Sequence, residues 1–165
     1  MSGNISDYEK VHLSGNLNTD ISLFRNIFYR DAVLRMRDVF IGGRAPCCLI
    51  FMDGMVNSAQ LGETVVESLV EYSLPLNMSP RCDYIAKNIL FANEVTETAS
   101  VATMLRAILY GDTVLITQNS TTALTINTKG WRSRGIKEPD GERVLQGPRE
   151  GFDEAAMFNL AMIRR

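Results

Sequence analysis

Few side chains in this chain of 165 residues stand at spacings that could do chemistry. Asp53 and Gly54, in "FMDGMV", close a continuous apolar run. A carboxylate at the C-terminal end of a buried strand is where α/β proteins often hold a ligand. The same dipeptide is the commoner signal of a turn, in which Asp53 bonds nearby backbone amides and Gly54 supplies a positive φ angle. Glu63, Glu67 and Glu71 recur at i, i+4 and i+8 and would share one helix face. With no histidine among them and no calcium-loop pattern, they read as a solvated flank rather than a metal site.

The one histidine, His12, has no cysteine or second histidine at ligand spacing. Cys47 and Cys48 are adjacent inside an apolar run and Cys82 stands alone. That is neither a disulfide framework nor a CxxC pair, so reduced thiols are expected. A nucleophilic thiol needs a basic neighbour and exposure, and this run supplies neither. No nucleophile elbow, zinc-protease helix, phosphate-binding loop or dinucleotide fingerprint occurs. Acid, base and nucleophile cannot be assigned to any spacing, which makes an enzyme the weakest function class, and no cofactor is implied. In "GPREGFDEAA", Arg149 stands beside the free amides of a helix start, which attract anions. Glu150, Asp153 and Glu154 already complement that first turn, so the segment reads first as a helix opening.

Several elements must position these groups. Ile21, Phe24, Ile27 and Phe28 recur at helical spacing behind Asp20, a capping residue type. "AVLRMRDVFIG" alternates, "PCCLIFMDGMV" is continuously apolar, and the two read as an antiparallel pair with the second strand buried on both faces. "QLGETVVESLVEYSL" predicts an amphipathic helix with Leu61, Val65, Leu69 and Tyr72 on one stripe, ended by Pro75. Asp83 is placed to cap "YIAKNILF", and "ANEVTETAS" is a polar strand or loop. Ser100 or Ala99 opens "VATMLRAILYG", with Gly111 at its C-cap. "DTVLITQ" and "TALTINTKGW" read as a hairpin joined by "NST". The fold class expected is α/β, a mixed sheet of about four to five strands with flanking helices. Residues 1–19 read as a flexible lead-in and residues 20–146 as the core. Residues 147–165 form a terminal amphipathic helix whose apolar stripe is Phe152, Ala156, Leu160 and Ile163, opened by Pro148.

Composition bounds the rest. A 45% hydrophobic, 22% charged chain is that of an ordinary globular domain, and its length suffices to bury a core. A formal charge of −2 offers no general attraction for nucleic acid. Runs such as residues 46–52 or 160–163 fall far short of the ~20 residues that cross a bilayer, and the N-terminus has no export signal.

"GWRSRGIKEPDGERVLQGPREGFDEAAMFNLAMIRR" resembles the signature region of the A subunits of GerA-type spore germinant receptors. The matching positions are Trp131, Arg134, Glu138, Pro139, Glu142, Gly147, Pro148, Arg149, Glu150, Gly151, Phe152, Asn159, Leu160, Ile163, Arg164 and Arg165. "DAVLRMRDVFIGG", "LIFMDGMV" and "LYGDTVLI" are similar to that family's N-terminal domain, in the same order. The resemblance runs from about residue 17, with "GPREGF" its most specific part. Met157 and Phe158 stand where the family has more polar residues, including an arginine, so no role of that arginine carries over.

The resemblance implies the N-terminal soluble part of a membrane receptor subunit that continues past Arg165. Its implied partners are a B subunit similar to amino-acid transporters and a C lipoprotein, with a further copy of itself as another option. The implied setting is the cytoplasmic side of the spore inner membrane, reached through a part beyond this chain. The implied role is nutrient-triggered germination by subunit interaction and signal coupling. The alternative is direct capture of a small-molecule germinant near Asp53 and Gly54, in a cleft lined by Phe51 and Met55. Arg132, Arg134, Arg143 and Arg149, interspersed with Glu138, Glu142 and Glu150, supply either ion pairs that hold the signature against the sheet or a solvated charged loop.

Overall fold

A computed structural model describes residues 5–76 and 78–130. Its single sheet contains β1 (Leu34–Ile41), β2 (Ala45–Met52), β3 (Val95–Thr98), β4 (Thr113–Thr117) and β5 (Ala123–Ile126). The spatial order is β1-β2-β4-β5-β3. The α/β class and the strand count are those expected. Every pairing is antiparallel, so the sheet is not the mixed one expected: short turns dictate this within the hairpins β1–β2 and β4–β5, and the long connections from β2 to β4 and from β3 to β5 bring in the other two pairs antiparallel as well.

Helices cover both faces. On one lie α1 (Leu17–Ile27) and α5 (Val101–Tyr110), whose Phe24, Met104 and Ile108 pack on Cys48, Ile50 and Ile116. On the other lie α2 (Ser58–Gln60), a π-helical stretch Leu61–Val66, α3 (Glu67–Glu71) and α4 (Cys82–Asn88). There Val65, Leu69 and Ile85 pack on Ile41, Leu49 and Leu115. Alternation along β2 sends Cys48 and Ile50 to the first face and Cys47 and Leu49 to the second, so the strand is buried on both. Each fully buried aliphatic side chain contributes about 1.5–3 kcal/mol.

Four local sequence expectations are corrected. The N-cap of α1 is Asn16, which accepts from the Thr19 amide at 3.1 Å, and Asp20 lies inside the first turn. Buried there, Asp20 accepts from the Ser14 amide and hydroxyl, both at 2.8 Å, and from the Gly15 amide at 3.2 Å. The segment before Asp20 is therefore tied down: Leu13 and Leu17 are buried, and Val11 accepts from the Val101 amide at 3.2 Å. In α4 the N-cap is Arg81 and Asp83 sits in the first turn. The long helix of residues 60–74 begins at Ser58 and widens over Leu61–Val66, where the Thr64 hydroxyl donates to the Gln60 carbonyl at 2.8 Å. That helix stops at Glu71, ahead of Pro75. The Ser100 cap is as expected, and so is Gly111, which ends α5 at φ 95°.

Candidate functional site

At one end of the sheet, three segments meet where the chain leaves its last strand. Residues 55–57 lie antiparallel to residues 128–130. The Asn57 amide donates to the Thr128 carbonyl at 2.8 Å, Val56 bridges Lys129, and the Gly130 amide donates to the Met55 carbonyl at 3.3 Å. Gly130 is obligatory here, since an added Cβ would collide with the backbone of Asn57. Gly111 faces the same turn, with the Met55 carbonyl 3.1 Å from where a Cβ would stand.

Polar groups hold this junction. The Thr113 and Thr128 hydroxyls share a buried hydrogen bond of 2.7 Å. The Asn127 amide donates to the Glu94 carbonyl at 3.0 Å, and its side-chain amide donates to the Glu94 carboxylate at 2.8 Å. Lys129 Nζ stands 3.2 Å from Asp112 Oδ1 and 4.3 Å from the centroid of the Tyr110 ring. Asp112 Oδ1 is itself buried, with Lys129 as its charge partner. Burial raises the Asp112 carboxyl above its ordinary value, Lys129 opposes that shift, and Glu94 adds to it.

Asp53 and Gly54 lie two residues ahead of this pairing. They form a turn: Gly54 has φ 78°, the Met55 amide donates to the Met52 carbonyl at 3.2 Å, and the Asp53 amide donates to the Val33 carbonyl at 2.8 Å. The Asp53 carboxylate meets Arg35 at 3.0 Å, both side chains being about half exposed. Met55 is buried in the core. Trp131, Arg134, Glu138, Pro139, Glu142, Gly147 through Phe152, Asn159, Arg164 and Arg165 lie outside the described residues. The chain enters that set one residue after Gly130.

Cys47 and Cys48 are buried, and desolvation, with Asp38 adding, pushes each thiol up to about 12. His12 bonds the Ala99 carbonyl at 3.1 Å. Glu63, Glu67 and Glu71 are exposed. Among the described residues no group of three or more potential ligands is placed to hold a metal ion, and no helix is long and apolar enough to cross a membrane.

A cleft that the sequence did not announce opens at the opposite end of the sheet, with a volume of about 420 Å³. The β1–β2 turn, the loop after α3 and the β4–β5 turn enclose it, through residues including Ile41, Arg44, Pro46, Pro75, Met78 and Thr117. Cross-links between segments fix its walls. Arg44 Nη1 donates to the Leu74 carbonyl at 3.0 Å, the Gln118 amide to Pro46 at 3.3 Å and the Asn119 amide to Gly15 at 2.8 Å.

The described residues thus form a three-layer α/β domain whose polar junction lies just before residue 131. The model of the Bacillus/Clostridium GerA spore germination protein family matches residues 22–165, and the chain belongs to that family. It is 28% identical over 156 residues to spore germination protein GerLA of Bacillus cereus, which spans 94% of this chain and 32% of that protein. It is 26% identical over 132 residues to spore germination protein KA of Bacillus subtilis, covering 79% of this chain and 24% of that one. The chain therefore spans about a third or less of these relatives. The crystal structure of the N-terminal domain of the A subunit of the Bacillus megaterium spore germinant receptor GerK3 shares the fold. Its TM-score is 0.69 at 18% identity, over 93% of this chain and 55% of that one.

Proposed function

We propose that this domain is part of a membrane-embedded spore germinant receptor subunit and acts in nutrient-triggered germination by subunit interaction and signal coupling. The observation that carries the reading is the junction of residues 55–57 with 128–130. The family signature begins at Trp131, immediately after backbone that is hydrogen-bonded to the turn ending β2 and braced by Lys129 on Asp112. Movement of that signature is transmitted to the sheet through a short, polar, glycine-packed contact rather than through a slack linker. In this reading the partners are the receptor's B and C subunits or a further copy of the chain, and the domain faces the cytoplasm at the spore inner membrane. The test is Lys129→Met in the full-length subunit, followed in spores. Slower nutrient-triggered germination at an unchanged level of the subunit is expected; normal germination at that level would overturn the reading.

A second reading, direct capture of a small-molecule germinant by this domain, is favoured by the walled cleft at the far end of the sheet. At Asp53 and Gly54 the carboxylate is already engaged by Arg35 and the neighbouring Met55 is buried. A ligand there would have to displace that ion pair.

A further inference from the structure

We infer that the cleft between the β1–β2 turn, residues 75, 76 and 78–80, and the β4–β5 turn is a binding site for a small monocarboxylate with an apolar body. The inference rests on the second reading above and names the ligand class for it. Three observations combine. First, the cleft has the size of a small-metabolite site, about 420 Å³, and its walls are preset. Gly42, at φ 57°, tucks the β1–β2 turn against the Tyr72 carbonyl so closely that an added Cβ would stand 2.5 Å from that oxygen. Second, Arg44 is the one charged residue that lines it, with no carboxylate beside it among the described residues. Arg44 spends one N–H on the Leu74 carbonyl, and its remaining N–H groups have no acceptor among the described residues. A guanidinium at an apolar mouth formed by Pro46, Pro75 and Met78 selects an anion of carboxylate geometry and an apolar tail.

Third, Thr117, which lines the same cleft, is only 4% exposed, and its hydroxyl has no hydrogen-bond partner among the described residues. A buried hydroxyl left without a partner is costly, and a polar ligand atom reaching it would remove that cost. An α-amino acid would bring an ammonium group that no lining carboxylate among the described residues could meet, so a simple carboxylate is preferred over its amino-acid counterpart.

The experiment is a titration of the isotope-labelled 165-residue chain, followed by amide NMR, with isovalerate and benzoate, with their neutral amides, and with glucose. Saturable shifts at Ile41, Thr117 and Gln118 for the carboxylates, at least tenfold weaker for the amides and for Arg44→Gln, are expected. Equal shifts with acid and amide, or shifts with glucose alone, would overturn the carboxylate assignment while leaving nutrient capture standing. A well-dispersed spectrum that ignores every compound would overturn both.

Discussion

Asp112 and Lys129 show how an ion pair can be set against burial. Burial raises the Asp112 carboxyl above its ordinary value of 3.8 more than Lys129 lowers it. The folded chain therefore holds that proton more tightly than the unfolded chain. The contribution of this group is greatest below pH 3.8 and is lost as pH rises through the raised folded value. Asp112→Asn carries no such proton. Wild type should lead the variant by a wider margin at pH 4 than at pH 7 when denaturation midpoints are compared, and a margin that widens toward pH 7 would mean that Lys129 outweighs burial. The pair was not legible in the sequence, because its members stand in different segments and meet only through the β4–β5 register that sets Thr113 opposite Ile126. Asp53 and Gly54 were legible as a turn, since the Asp-Gly signal is local and needs no partner strand. What the sequence could not supply was that Arg35, across the β1–β2 pair, takes the carboxylate.

At the scale of elements, period and punctuation carried far. Alternation marked β1, the apolar run marked β2, and Ser100 with Gly111 bracketed α5 because caps and left-handed glycines are local physical demands. The start of α1 was displaced because Asn16 and Asp20 are both capping types. Only the fold decides which one meets the free amides and which turns inward to hold Ser14 and Gly15. The π-helical widening of residues 61–66 likewise leaves the apolar stripe intact and so gives no periodic signal. The crossing of residues 55–57 with 128–130 is a close contact, hydrogen-bonded through the Asn57 and Gly130 amides. Gly130→Ala forces its Cβ into Asn57 and should destabilise the domain by about 1–3 kcal/mol, the usual range for overpacking. Gly43→Ala is the informative control by space alone: it meets nothing within 4 Å but keeps a positive φ of 68°. If Gly130→Ala melts no lower than Gly43→Ala, the junction is looser than its geometry implies.

For the whole molecule, the sheet has a long outer strand. Among the described residues β1 pairs only with β2, so one side of an eight-residue strand is without a neighbouring strand. Such an edge is a template on which another chain can add. An antiparallel pairing of two copies must keep side chains on their own faces, so only residues of like parity can stand opposite each other. Near the centre of β1 that rule sets Arg35 against Arg37, Arg37 against Arg37, or Asp38 against Asp38. The strand is therefore selective by arithmetic: it repels itself in each central register while remaining open to a strand of different sequence. Arg37→Glu would break the rule by giving Arg35 an acidic partner in the second copy. Sedimentation at rising concentration should then show strand-joined pairs for that variant and not for the parent, so that one arginine keeps identical neighbours from merging their sheets.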